Sequence, residues 1–378
     1  RHSHRSFFIL HFSDLFHVGK WSSIEKEMNS DLKALASKLP EVLLKSKATN
    51  TYKSYNYSFR DWCKWCNRYK LSPVPSSDYH VSLFIISLMQ AGCSSSKIDQ
   101  VVYAIKWAHQ IVSEPVPCDS FLVKSISEGA KRMLSKPSQK KEPVTPEILL
   151  ELVQRFGHSS NLYDKRTVTM CLLAYAGFLR FSELANLKAC DVKFSELFVT
   201  LFIEKSKTDQ HREGHYVVIA KVDSPACPVK MLKEYLALAE IDDEEENFLF
   251  RQLSFCHSSN SYKLRKSGHL SYTRVRELFL EKLHCLGLDT TKFGLHSLRS
   301  GGATAAANAG ISDRLFKKNM VVGARIEPKM ATSKRIFIHF CLYRKISDFE
   351  FINKVFSSSI FPFFVFSRCS AWQEAPLI

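Results

Sequence analysis

Residues 294–302 read Gly-Leu-His-Ser-Leu-Arg-Ser-Gly-Gly, and this stretch says more about the fold than any other part of the chain. The pattern after Gly294 predicts a helix over Leu295–Asn308, and a helix places residues three apart, His296 and Arg299, on one face. An imidazole and a guanidinium side by side can both contact one phosphate, the guanidinium through two parallel hydrogen bonds. The stretch therefore predicts a phosphate contact, although a charged helix face in solvent would carry the same two residues.

A second stretch, Ala176–Leu184, reads AGFLRFSEL. Here the apolar helix predicted over Met170–Tyr175 runs into a glycine, and Arg180 then stands at the start of the next helix. Helix N-termini favour anions, so Arg180 is in place for a phosphate. Glu183, one turn further on, can orient the guanidinium. The alternative is an ordinary surface ion pair, worth about 0.3–0.5 kcal/mol.

Two β-rich runs, Leu197–Glu204 and Tyr216–Ala220, are joined by a polar turn and predict an antiparallel hairpin. The tetrapeptide KSKT follows the first run, and its Lys207, projecting from the turn, can reach into a cleft as a proton donor. An ordinary charged turn is the alternative. His211 and His215 in the same turn are expected to face solvent.

In this order, the motifs A-G-x-x-R-x-S-E-L, a hairpin lysine and H-x-L-R-S-G-G-A-T resemble the catalytic domain of the tyrosine recombinases, the phage integrase and Xer family. The resemblance runs from about residue 45 to about residue 318, and the sequences of the first and last motifs are most similar to those of family members in eukaryotic mobile elements. It implies a mainly α fold with a small antiparallel sheet (α+β), in which a helical core-binding domain precedes the catalytic domain. It also implies phosphoryl transfer on double-stranded DNA, with no metal, cofactor or small-molecule substrate.

The resemblance also implies a role for each motif residue. Arg180 and Arg299 would bind the non-bridging phosphate oxygens, His296 would serve as an acid/base or a phosphate ligand, and Lys207 would protonate the leaving oxygen. In the family a tyrosine attacks the phosphate, forming a 3′-phosphotyrosyl link and releasing a 5′-hydroxyl. Family members clamp the duplex between their two domains and assemble as homo-oligomers on DNA.

The sequence departs from the family where the tyrosine should stand. A His or Trp is expected near position 322 and the tyrosine near 331, but these residues are Val322 and Ala331. The one tyrosine beyond Arg299 is Tyr343, and Lys334 rather than His or Trp precedes it by nine residues. We therefore expect the chain to bind DNA without cleaving it, and the sequence leaves its enzymatic activity undecided.

Two other functions stay open at this point. One is an active recombinase that uses Tyr343, a tyrosine donated by a partner chain, or a longer gene product. The other is a helical DNA-binding adaptor without catalytic activity.

The polar and basic segment Ser135–Pro146 marks a domain boundary. Before it, residues 41–137 are predicted to form the helical DNA-binding domain, and after it residues 138–320 the catalytic-like domain. Residues 1–40 receive no assignment, and the phenylalanine-rich residues 321–378 are predicted to be a divergent tail. Besides those named above, the pattern predicts helices at Thr51–Cys66, His80–Ala91, Ser96–Val112, Ser120–Leu134, Pro146–Phe156, Lys165–Tyr175, Phe181–Leu187, Val229–Ala239, Tyr272–Leu286 and Ser312–Lys318.

The charge balance favours a polyanionic partner. The chain has 53 Lys and Arg against 37 Asp and Glu, a net charge of +16. Between Lys45 and Glu142 there are fifteen basic and seven acidic residues, so half of the excess lies in about a quarter of the chain. The DNA-binding candidates in this region are Lys53, Arg60, Lys64, Lys106, Lys131, Arg132, Lys140 and Lys141.

Eleven cysteines without a regular framework indicate reduced thiols and hence an intracellular protein, nuclear if the source is eukaryotic. Cys63 and Cys66 form a C-x-x-C inside an amphipathic helical pattern, which favours core packing over a metal site. No signal peptide or membrane-spanning segment is expected, since no apolar run reaches about 18 residues.

Overall fold

The computed structural model describes residues 11–17, 20–21, 29–135, 137, 139–207, 209, 213–242 and 244–310. The predicted helix Ser312–Lys318, the tail 321–378, Tyr343 and His211 lie outside these residues. The chain divides into two compact units, Arg1–Ser138 and Gln139–Ile378. The described residues form many helices and two small antiparallel sheets, which confirms the predicted α+β class.

The described residues of the first unit are helical. Its α-helices are α1 (Ser30–Ala36), α2 (Leu39–Lys45), α3 (Thr49–Arg68), α4 (Asp78–Gln90), α5 (Ser95–Val112) and α6 (Phe121–Leu134). The last four confirm the predicted helices to within a few residues. Three of them begin at serines, Ser77, Ser94 and Ser120, whose hydroxyls accept a hydrogen bond from a backbone N–H of the first turn. The main contacts of the unit are α3 with α5 and α4 with α6.

The core of the first unit is built on aromatic residues of α3. Trp62 is fully buried, and its indole N–H donates to the Pro73 carbonyl at 2.9 Å. Cys63 and Cys66 are also fully buried, as the periodicity of the helix predicts. A short 3-10 helix, Phe12–His17, completes this core, since the Phe12 ring lies 4.8 Å from that of Phe59. The sequence of residues 1–40 shows no periodicity that would predict this contribution.

The second unit is arranged around one buried helix. Its α-helices are α7 (Pro146–Leu152), α8 (Leu162–Ala176), α9 (Phe181–Ala185), α10 (Pro228–Leu238), α11 (Tyr272–Cys285) and α12 (Leu295–Asn308). Every residue of α8 from Lys165 to Ala176 is buried, and α10 and α12 make the largest helix contacts with it. A helix buried on all sides has to be the centre of a core rather than its cover.

The predicted hairpin is present and belongs to a three-stranded sheet. Strand β1 (Val192–Phe194) pairs with β2 (Phe198–Ile203), and β2 pairs with β3 (His215–Ala220), all antiparallel. Along β2 buried and half-buried residues alternate, because one face of the sheet lies on the core.

A second hairpin was not predicted. It consists of β4 (Arg251–Cys256) and β5 (Ser261–His269), which pair antiparallel with an irregularity between Arg251 and Leu253. Its strands are polar and basic, with few of the β-branched residues that favour strands, so local sequence carries little strand signal.

Candidate phosphate-binding site

The small residues of α12 allow this helix to lie directly against α8. A Cβ atom on Gly301 would come within 2.1 Å of the Val144 carbonyl oxygen, and one on Gly302 within 2.2 Å of the Tyr175 carbonyl oxygen. Any other residue at either position would have to push the backbones apart. Gly302 therefore sets the distance between α12, which carries Arg299, and the end of α8, which leads to Arg180, and Gly301 sets the approach of α12 to Val144.

The connection from α8 to α9 turns sharply at Phe178. Its φ of 49° is in the left-handed region, which is uncommon for a residue other than glycine. In this conformation the Phe178 carbonyl accepts a hydrogen bond from the Arg299 guanidinium. A backbone group of the Arg180 loop thus orients the second arginine.

Glu183 holds both arginines. In the first turn of α9, its carboxylate accepts the Arg180 backbone N–H at 2.8 Å and the Arg180 Nη1 at 2.7 Å. The Arg299 Nη1 lies 3.8 Å from the same carboxylate. Because the Glu183 side chain is only 3% exposed, this is not the surface pair that was the alternative. Breaking a buried pair of this kind costs about 3–5 kcal/mol, since it leaves an uncompensated charge.

The two guanidinium groups share one carboxylate. Burial lowers the pKa of Arg299, the charge of Arg180 lowers it further, and Glu183 opposes the shift. The side chains of Arg180 and Arg299 are 27% and 12% exposed, so solvent still reaches both. Two cations held by one carboxylate can accept an anion, and a phosphate would find two guanidinium forks in place.

His296 and Lys207 stand apart from the hydrogen-bonded group of Arg180, Glu183 and Arg299. His296 is exposed in the first turn of α12, one turn before Arg299. Lys207 is exposed in the connection from β2 to β3. In the described part of the chain, no hydrogen bond or ion pair joins either side chain to Arg180, Glu183 or Arg299. Of the predicted motif residues, the structure therefore brings Arg180, Glu183 and Arg299 together.

Most of the predicted DNA-binding residues of the first unit and its boundary are exposed. Lys53, Lys64, Arg132, Lys140 and Lys141 are exposed, and Lys141 donates to the Thr291 carbonyl.

Three of these candidates already have partners in the first unit. The guanidinium of Arg60 lies 5.0 Å from the ring centre of Tyr57. Lys106 pairs with Asp119 at 2.6 Å, and Lys131 pairs with Asp99 and Glu128. The two paired lysines would have to give up a carboxylate to reach a phosphate.

Two features of the site could not be predicted from the sequence. One is the Phe178 carbonyl, a backbone group whose direction depends on a left-handed residue that no motif marks. The other is the contact of Glu183 with Arg299, because the sequence places these residues more than a hundred positions apart.

The residues that the structure describes contain neither a candidate metal site nor a candidate membrane span. Within the described ranges, no three His, Cys, Asp or Glu side chains are grouped so that they could hold a metal ion. None of the helices there combines the length and the apolar character needed to cross a membrane.

Known proteins share both the sequence pattern and the fold. Residues 145–320 match the model of the Phage integrase family. The "Integrase/recombinase xerD homolog" of Selenomonas ruminantium is 29% identical over 306 residues, which cover 79% of this chain and 84% of that protein.

Solved structures of similar architecture include the XerH site-specific recombinase bound to a palindromic difH substrate. That structure is 15% identical with a TM-score of 0.51, and the match covers 82% of this chain and 87% of XerH. The Tn1549 transposon integrase in complex with circular intermediate DNA is 13% identical with a TM-score of 0.46, over 84% of this chain and 93% of that one. At 15% identity the likeness to XerH concerns the fold.

Proposed function

We propose that the chain is a tyrosine recombinase of the phage integrase family, whose model matches residues 145–320, and that it binds double-stranded DNA and takes part in DNA recombination. The name of its Selenomonas relative, an integrase/recombinase, supports the same reaction class.

One observation carries the proposal. Arg180 and Arg299, from two distant parts of the chain, converge on the single buried carboxylate of Glu183. A buried carboxylate shared by two arginines fixes their geometry before any ligand arrives, which is what binding of a developing phosphate charge requires. Arg180 and Arg299 would hold the non-bridging oxygens of one DNA phosphate, and Glu183 would position them.

His296 and Lys207 have proposed roles as well. His296 would contact the phosphate or move a proton, and Lys207 would give its proton to the 5′-oxygen as that oxygen leaves. Both side chains are exposed, so a bound duplex could meet them without first displacing a protein partner.

The phosphate contact is tested by duplex binding of Arg180→Ala and Arg299→Ala as a function of salt. A charge-assisted hydrogen bond is worth about 1.5–3 kcal/mol, so each variant should weaken binding roughly 10- to 100-fold. Lys221→Ala, which removes an exposed charge outside the site, is the matched control and should change little. Unchanged affinity of both arginine variants would favour the helical adaptor instead.

We further propose that this chain does not cleave the DNA that it binds. Tyr175 packs beside Gly301 and Gly302, but it is fully buried, and burial raises its pKa well above the usual range of a phenol. It is therefore out of reach of a phosphate as a nucleophile. Tyr343, the candidate that the sequence offers, lies outside the described residues.

A nicked suicide substrate tests this second proposal. We expect no covalent protein–DNA adduct on a denaturing gel. An adduct that disappears in Tyr343→Phe would show instead that the chain is an active recombinase using Tyr343. In either case, assembly of a homo-oligomer on DNA, which we also propose, can be measured as the mass of the complex in solution.

A further inference from the structure

The β4–β5 hairpin is amphipathic across its two faces. Leu253, Tyr262 and Leu264 pack against the core of the second unit. Because side chains alternate along a strand, Ser254 and its partner Lys263 point to the other face, with Arg265 two residues on. This outward face is polar and exposed.

The hairpin lies in the longest stretch of the second unit that has no acidic residue. From Asn247 to Arg276, thirty residues, there are six Lys or Arg and no Asp or Glu. Two of the six are ion-paired, Arg251 with Glu245 and Arg274 with Glu277. The other four are exposed, and they are Lys263, Arg265, Lys266 and Arg276. No carboxylate of the described residues lies within ion-pair distance of these four side chains.

The base of the hairpin is fixed rather than free. Arg251 makes two hydrogen bonds to Glu245, at 2.7 and 3.1 Å. Arg166, buried in α8, donates to the Arg251 carbonyl. A rigid base means that little conformational entropy is lost when the basic face meets a partner.

The far end of β5 leads back toward the phosphate site. Tyr272, three residues after β5, contacts Phe181 with ring centres 5.3 Å apart, and Phe181 follows Arg180. Six residues separate Lys266 from Tyr272, a span of at most about 20 Å. A polyanion held at Arg180 would therefore pass within reach of the hairpin.

We propose that the outward face of this hairpin, through Lys263 and Arg265, together with the exposed Lys266 at the register shift beside them, binds the phosphate backbone of the duplex outside the Arg180–Arg299 site. The serine hydroxyls that alternate with the cations add further donors for phosphate oxygens. A membrane surface would call for apolar side chains on the same face, and this face is polar. The inference rests on the proposed DNA binding.

The test compares two triple variants of the full chain, each losing three positive charges. The hairpin variant is Lys263→Gln, Arg265→Gln and Lys266→Gln, and the matched control is Lys193→Gln, Lys221→Gln and Lys230→Gln, all at exposed positions of the second unit. Binding to a duplex of mixed sequence is titrated with salt. Each phosphate contact contributes about 0.9 to the slope of log affinity against log salt, so the hairpin variant should lose about 2–3 from that slope and the control almost nothing.

Three results would overturn the inference. If the wild-type chain binds duplex and the hairpin variant has the same slope of log affinity against log salt, the hairpin contact alone is contradicted. An equal loss in the control would show a response to net charge. Wild-type chain that binds no duplex defeats the hairpin contact together with the proposed function. Unchanged thermal unfolding of both variants verifies that the substitutions leave the fold intact.

Discussion

At the scale of single residues, Glu183 stabilises the site through one carboxylate shared by two arginines. Glu183→Ala should lower the free energy of unfolding by about 3 kcal/mol, because two guanidinium groups would lose the buried carboxylate that they share. Glu183→Gln keeps an acceptor for the Arg180 backbone N–H and should lose less. Denaturant unfolding of the three chains provides the measurement. Equal stability of all three would mean that solvent already compensates the arginines.

Cys256 is the residue with the clearest pH dependence. Hydrogen bonds from the hydroxyls of Ser258 and Ser259 stabilise its thiolate and lower its pKa to about 6. A lowered pKa means that the reactive thiolate is already present at neutral pH and is lost as the pH falls through about 6. The rate of iodoacetamide labelling of Cys256, followed by mass spectrometry, should show that midpoint. In Ser258→Ala the midpoint should move upward, and an identical profile would rule out the hydroxyl as the cause.

At the scale of secondary-structure elements, the contact between α12 and α8 depends on glycine. Gly302→Ala should destabilise the second unit by about 1–3 kcal/mol, because its Cβ would meet the Tyr175 carbonyl at 2.2 Å. The matched control is Gly129→Ala in α6, where a Cβ meets nothing within 4 Å. That change should stabilise its helix by about 0.5–1 kcal/mol. Thermal unfolding separates the two, and similar small effects would argue against the close approach of α12.

The secondary-structure elements also show which parts of the fold local sequence predicts. Leu295–Asn308 and the β2–β3 hairpin follow from periodicity and turn residues, because their local preferences agree with the fold. The β4–β5 hairpin and the 3-10 helix Phe12–His17 do not follow, since their conformation depends on packing against distant residues.

At the scale of the whole molecule, the segment between the two compact units should be the first site of proteolysis. Arg132, Lys140 and Lys141 are exposed on either side of the division at Ser138. Limited trypsin digestion should therefore give two fragments that meet in this segment, which would also test the predicted boundary at residues 137 and 138. Because Lys140 and Lys141 are proposed to contact DNA, a bound duplex should slow the cleavage. First cleavage inside either unit would contradict the assignment.

The sequence by itself predicted the fold class, which the structure confirms, the resemblance to the tyrosine recombinases, and three candidate side chains of the site. Arg180, His296 and Arg299 stand in motifs whose order along the chain is specific, and each helix that presents them has a local signal. The same motifs cannot show which of these side chains touch, because a motif fixes spacing only along its own element.

The tertiary structure decided how the site is held. Glu183 meets Arg299, and Arg299 reaches the Phe178 carbonyl, because Gly302 lets α12 lie against α8 and Gly301 lets it lie against Val144. These contacts join residues about 120 positions apart, and through-space packing rather than local preference sets such distances. Tertiary packing also determines the basic face of the β4–β5 hairpin, because this face points outward only when the apolar face packs against the core.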